Sequence, residues 1–196
     1  MSNFESFGFS KRMTNTLVDM KFITPTPIQQ KAIPIILKGS DILGSAQTGT
    51  GKTAAFCIPV IEMLSKNEKS TALMMMPTRE LARQVLDVIN QLTNNGDKIK
   101  SACLIGGEAM RIQIKQLSNF PRIIVGTPGR INDHLENKKM NLKSCNYLVL
   151  DETDRMLDMG FGKQIDQIFK YLPDQKQTLL FSATLPEKII QLSKKY

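Results

Sequence analysis

Six short apolar runs constrain this chain more than any other feature: Asp41–Ser45, Thr71–Met76, Ile99–Ile105, Arg122–Gly126, Tyr147–Asp151 and Thr178–Ser182. They are nearly continuous and partly β-branched, as strands buried on both faces of a parallel sheet must be. Longer amphipathic segments lie between them. Glu80–Leu92 puts Leu81, Val85, Val88, Ile89 and Leu92 on one stripe, and Ile165–Leu172 does the same with Ile165, Ile168, Phe169 and Leu172. The alternation predicts an α/β fold, a mainly parallel central sheet with helices on both faces. Polar segments at Lys66–Ser70, Asn94–Lys98 and Asn137–Asn141 read as loops. The first part differs, with one amphipathic helix at Met13–Met20 and a second from Pro27 to about Leu37. Pro27 suits a first helical turn because it has no N–H to lose there. The expected division is a region 1–38 packed on a core domain 39–196.

The first strand runs into Ala46-Gln47-Thr48-Gly49-Thr50-Gly51-Lys52-Thr53, and the helical run Ala54–Leu64 follows. Strand, glycine-rich loop and helix are the context of a phosphate-binding loop. Gly49 and Gly51 let the backbone curl with its N–H groups turned inward, and the helix start adds partial positive charge. Lys52 can reach the β- and γ-phosphates, and the Thr53 hydroxyl can ligate Mg²⁺. The general pattern begins with glycine; here that position is Ala46. A second element completes the chemistry. Tyr147–Leu150 leads into Asp151-Glu152, placing two acids at a strand end. Asp151 suits a Mg²⁺ ligand, directly or through water, and Glu152 suits the residue that orients or deprotonates an attacking water. Catalysis is therefore assigned to Lys52, Asp151 and Glu152, with a nucleoside triphosphate and Mg²⁺ as the groups bound.

Charge enters only as support. The net charge of +8 over 196 residues can attract a phosphate backbone, but Lys66, Lys69, Lys138, Lys139, Lys194 and Lys195 fall in apparent loops or at the end, as solvated surface lysines do. The three cysteines, Cys57, Cys103 and Cys145, form no Cys-x-x-Cys pair and read as small apolar core residues. The single histidine, His134, reads as a partly exposed helix residue. Met74–Met76 reads as core filling. No apolar run approaches a membrane span, and the start of the chain does not resemble a signal peptide, so the cytoplasm is the default compartment.

Taken with three further segments, these motifs resemble the DEAD-box RNA helicases from Phe4 to about Thr184, and specifically their first RecA-like domain. The Asp-Glu pair continues as Asp151-Glu152-Thr153-Asp154, with Thr153 where the family name has alanine. Phe22–Gln29 resembles the family's Q motif, with Lys21 where glycine is usual. The resemblance assigns adenine recognition to Gln29, whose amide donates and accepts. It assigns base stacking to Phe4, with Phe7 as a packing residue, and includes Thr24 with Gln47, Thr48, Gly49, Thr50, Gly51, Lys52 and Thr53 among the nucleotide contacts. Pro77-Thr78-Arg79, Gly106-Gly107 and Thr127-Pro128-Gly129-Arg130 resemble the RNA-contacting motifs. Each follows an apolar strand, where open α/β sheets carry ligands. Arg79 and Arg130 either add charge towards phosphate or tie loops together. Ser182 and Thr184 resemble the coupling motif, with Asp154 as their partner. Between Phe4 and Phe161 the chain looks closest to bacterial members.

The resemblance implies a monomeric ATP-binding half of an enzyme that couples hydrolysis to local unwinding of RNA. The arginine-rich motifs of a second RecA-like domain do not occur in these residues. The 196-residue chain alone is thus expected to bind nucleotide, hydrolyse it poorly and not unwind. Two other readings stay open: a DNA-directed helicase on the same fold, and an ATP-dependent RNA clamp or scaffold that does not separate strands.

Overall fold

The computed structural model describes residues 3–47, 49–94 and 99–195. Six parallel strands form one sheet: β1 (Ile42–Ser45), β2 (Thr71–Met75), β3 (Ser101–Leu104), β4 (Ile123–Gly126), β5 (Cys145–Leu150) and β6 (Gln177–Ser182). Their order across the sheet is β1-β6-β5-β2-β4-β3. All six expected strands are present, with ends shifted by one or two residues. The foreseen helices are α1 (Lys11–Asp19), α2 (Pro27–Leu37), α3 (Lys52–Lys66), α4 (Arg79–Thr93) and α8 (Gly162–Phe169). Four others complete the described residues: α5 (Met110–Leu117), α6 (Pro128–Glu136), α7 (Thr153–Asp158) and α9 (Glu187–Lys195). α7 escaped notice because six residues are too few to show a helical period.

Side chains alternate across each strand, so the sheet divides the core in two. Ala72, Met74 and Met76 of β2 and its end face one layer with α1 to α4; Leu73 and Met75 face the other with α6 to α9. Residues of the first 38 belong to the same apolar cluster as α3, through Met13, Leu17, Ile33 and Ile36. Glu62, buried in mid-α3, fixes the start of α1: its carboxylate accepts from Ser10 N (3.0 Å) and Ser10 Oγ (2.8 Å), and Lys66 Nζ lies 3.0 Å away. At the far end of α1 the chain turns left-handed at Lys21 (φ +59°), with Lys21 N donating to Val18 O and Phe22 N to Leu17 O. That bond pair closes a helix with a residue that glycine fills without strain, which explains why glycine is usual there.

Two expectations are corrected. His134 is fully buried rather than partly exposed, because α6 turns that face onto α5. Lys66 ends a helix rather than opening a loop. All three cysteines are buried and unpaired; burial pushes the Cys103 thiol up to about 11 and the Cys145 thiol up to about 12.

Candidate functional site

Parallel strands deliver all their C-terminal ends to one edge of the sheet, and the strand order sorts what they carry. β1, β6 and β5 are neighbours, so the glycine-rich loop, Ser182–Thr184 and Asp151-Glu152 stand side by side. β2, β4 and β3 form the other half, bringing Pro77–Arg79, Thr127–Arg130 and Gly106-Gly107 together.

In the first half, Lys52 opens α3 and is buried with its Nζ 3.6 Å from Asp151 Oδ1. That ammonium has no hydrogen-bond partner among the described residues. A buried cation so poorly satisfied is arranged for an acceptor from outside the chain, such as a phosphate oxygen. Burial pushes the Asp151 carboxyl above its ordinary range, and the Lys52 charge opposes that shift. Glu152 lies in the left-handed region (φ +49°), held by Arg155 Nη1 at 3.1 Å from its Oε2. Strain of roughly 1–3 kcal/mol in a non-glycine residue is typically stored where function fixes the backbone. Thr53 lies beside Lys52 at the first turn of α3, half-buried. Gly49 and Gly51 are left-handed (φ +82° and +91°), and Thr50 Oγ1 donates to Gln47 O at 2.7 Å. Thr48 lies outside the described residues.

Gln29 is buried and already engaged. Its Oε1 accepts from Thr26 N (2.9 Å) and its Nε2 donates to Gly51 O (3.1 Å). One N–H and one lone pair of the amide remain for a base edge. Thr24 is exposed. Phe4 is a correction: at 5% exposure it is a core residue, edge-on to Phe7 (5.9 Å) and Phe22 (5.6 Å). At that exposure the ring presents little surface for stacking on a base.

The second half forms a cleft of about 660 Å³ lined by Pro77, Thr78, Arg79, Gly106, Thr127, Gly129 and Arg130, together with Glu80, Asp133, Met159 and Phe161. Pro128 is buried at the start of α6. Both arginines tie loops. The Arg79 guanidinium lies across Gly106 and Gly107 so closely that a Cβ at 107 would come within 2.4 Å of its Nη1. Arg130 Nη1 donates to Glu108 O (3.0 Å) and Gln113 Oε1 (3.1 Å), and Nε is 3.4 Å from Asp133. Sequence reasoning missed Gln113 and His134. Gln113, fully buried, donates to Ile105 O at 2.7 Å and accepts at its Oε1, 2.9 Å from His134 Nε2. It therefore holds the glycine pair against α6. The signal was faint: a lone glutamine in a helix that carries little periodicity.

Within the first half, the ends of β5 and β6 meet at the last site. Asp154 Oδ2 accepts from Thr184 N and Thr184 Oγ1, both at 2.9 Å, while Asp154 N donates to Ser182 Oγ at 3.3 Å. Burial tends to raise the Asp154 carboxyl, but these bonds outweigh it and hold the group below its ordinary value.

A parallel α/β sheet with a glycine-rich loop feeding a buried lysine and a facing acid pair defines the class of phosphate-loop domains. Residues 26–192 match the family of DEAD/DEAH box helicases, and the chain belongs to that family. It is 44% identical to the DEAD-box ATP-dependent RNA helicase RhpA of Helicobacter pylori, covering 98% of this chain and 39% of that protein. It is 46% identical to an ATP-dependent rRNA helicase of Candida albicans, covering 97% of this chain and 36% of that protein. The crystal structure of a DEAD box protein from Methanococcus jannaschii superposes with a TM-score of 0.94 at 45% identity, covering 99% of this chain and 53% of that one. The chain thus spans about two fifths to half of the length of these relatives. Bacterial, yeast and archaeal proteins match at similar identity, so identity does not set the bacterial members apart.

Proposed function

We propose that this chain is the ATP-binding, N-terminal RecA-like half of an ATP-dependent RNA helicase, which couples nucleotide hydrolysis to local unwinding of an RNA duplex. The observation that carries the reading is the sheet order. It sets the glycine-rich loop, the acid pair and the coupling segment on three adjacent strands, beside a second set of three strands whose loops form one cleft. The relatives' names, ATP-dependent RNA helicase and ATP-dependent rRNA helicase, point the same way.

The residues present fit a nucleoside triphosphate with Mg²⁺. Lys52 offers an unsatisfied buried ammonium to phosphate oxygens, and Thr53 and Asp151 offer an oxygen pair to the cation. When bound, the nucleotide would supply the terminal phosphoryl group that passes to water, leaving the diphosphate, and its metal would neutralise phosphate charge. The chain's own work is to hold it with the loop amides, to neutralise charge with Lys52, and to orient water with Glu152. Gln29 contributes its free N–H and lone pair to the adenine edge, and Thr24 is the exposed residue of the same motif. Arg79, Arg130 and the backbones of Pro77–Thr78, Gly106-Gly107 and Thr127–Gly129 meet sugar and phosphate, so binding is independent of sequence. Asp154, Ser182 and Thr184 tie the acid-bearing end of β5 to the end of β6. A second RecA-like domain, in the part of the relatives that this chain does not span, closes the cleft.

The test uses the full-length protein. ATP turnover is measured with single-stranded RNA, single-stranded DNA and neither, and strand displacement is measured on a short RNA duplex. RNA should stimulate turnover and DNA should not. Glu152→Gln should keep nucleotide binding while losing at least about a hundredfold in turnover, as removal of a water-orienting group does. Equal stimulation by DNA would favour a DNA-directed enzyme; RNA stimulation without displacement would favour a clamp.

A further inference from the structure

Thr153 stands where the family name has alanine, and its hydroxyl is fully buried. The last β5–β6 pair is Leu150 with Leu180. Beyond it the backbone of β5 leaves β6. Asp151 N donates to Met75 O on the β2 side (3.1 Å), and Glu152, in its left-handed conformation, turns its N–H onto the Asp151 carboxylate (2.9 Å). The carbonyl of Phe181, one residue past the last pair, therefore receives no amide from β5. Thr153 Oγ1 lies 3.1 Å from that carbonyl and 3.3 Å from Leu150 O, so the hydroxyl supplies the donor that the strand no longer offers. A buried carbonyl without a donor is costly, which gives this bond its weight.

We propose that Thr153 is a positioning residue for turnover, the inner rung that fastens the end carrying Asp151 and Glu152 to the end carrying Ser182 and Thr184. The proposal rests on the helicase reading above. The outer rungs, between Asp154 and Thr184, are at the surface, where water competes for the same groups. The Thr153 rung is dry. It keeps the two strand ends in register when the outer contacts exchange with solvent, and so passes a displacement of one end to the other. Thr153 also fills the inner face of the joint without leaving its hydroxyl unpaired, so the departure from alanine strengthens the link rather than disturbing it.

The experiment compares wild type with Thr153→Val, Thr153→Ala and Thr153→Ser in the full-length protein. It reads RNA-stimulated kcat, the KM for ATP and the melting temperature. Valine keeps the shape and removes the hydroxyl; alanine is the residue of the family signature and so tests the same loss without crowding; serine keeps the hydroxyl and removes the methyl. Valine and alanine should each lower RNA-stimulated kcat about fivefold, the weight of one hydrogen bond, with KM for ATP changed by less than about twofold. Serine should restore most of the loss. Wild-type kcat in both Val and Ala variants overturns the proposal, even if melting shifts, because the role would then be structural only. Equal losses in Val and Ser also overturn it, because packing rather than the hydroxyl would be responsible. An unmutated protein that RNA does not stimulate overturns the helicase reading, and this proposal with it.

Discussion

His134 carries a ring with no exposed surface, one nitrogen against Gln113 and the other, Nδ1, without a hydrogen-bond partner among the described residues. Burial lowers its pKa, the nearby Arg130 charge lowers it further, and Asp133 opposes them in part. The native state therefore holds the ring neutral to lower pH than the unfolded chain, whose histidine takes up a proton near pH 6.5. The unfolded state binds more protons in that window, so this contribution to stability is complete above about pH 6.5 and declines as the pH falls through it. Melting temperatures of wild type and His134→Gln, taken at pH 7.5 and 5.5, should converge or cross on acidification as wild type loses more. Parallel pH dependence in the two proteins would remove His134 as the cause. Asp154 titrates in a separate window: its lowered pKa stabilises above the ordinary carboxylate range and is lost only in stronger acid. At this scale the sequence was legible where residue type and chemistry coincide, as at Lys52 and Asp151. It was not legible for Phe4 or His134, because the side of an aromatic or imidazole ring that meets the core depends on partners distant in sequence.

Helix α3 shows how an element can be fixed at both ends by chains of contact from elsewhere. Its N-terminus carries the glycine-rich loop. Near its C-terminus Arg122, at the start of β4, donates to Leu64 O, Asn67 O and Ser70 O. Between them Glu62 holds the first residue of the α1 turn. Glu62→Ala removes two hydrogen bonds to a carboxylate and leaves the Ser10 N–H and hydroxyl without that acceptor. The expected loss is about 2–3 kcal/mol of unfolding free energy, seen as a lower urea midpoint and faster hydrogen exchange across 10–20. Unchanged protection of those amides would show that α1 docks without Glu62. The strands were readable in advance because apolar runs buried on both faces differ sharply from everything around them. Helices α5, α7 and α9 were not, since six to nine residues give barely two turns of period, and a glutamate buried in a helix reads on paper like a surface charge.

Across the whole molecule, the sheet order separates two functional halves whose strands meet where β5 pairs with β2. The proposed nucleotide contacts all lie in the first half, and the cleft of the second half is open to solvent. The 196-residue chain should therefore bind adenine nucleotide while its RNA-stimulated ATP turnover falls at least about a thousandfold below that of the full-length protein, the scale of a missing arginine contributed in trans. Comparable turnover by the two would mean that one domain suffices. The alternation of strands and helices announced the architecture, but not the strand order, because neighbours such as β1 and β6 are far apart in the chain and only packing decides them. One contact carries a consequence for heredity. A Cβ at Gly51 would come within 2.6 Å of Gln29 Nε2 and 3.0 Å of Thr26 Oγ1. Any side chain at 51 thus displaces the Gln29 amide as well as straining the loop backbone, so in a genetic screen substitutions at 51 should include the defect of substitutions at Gln29.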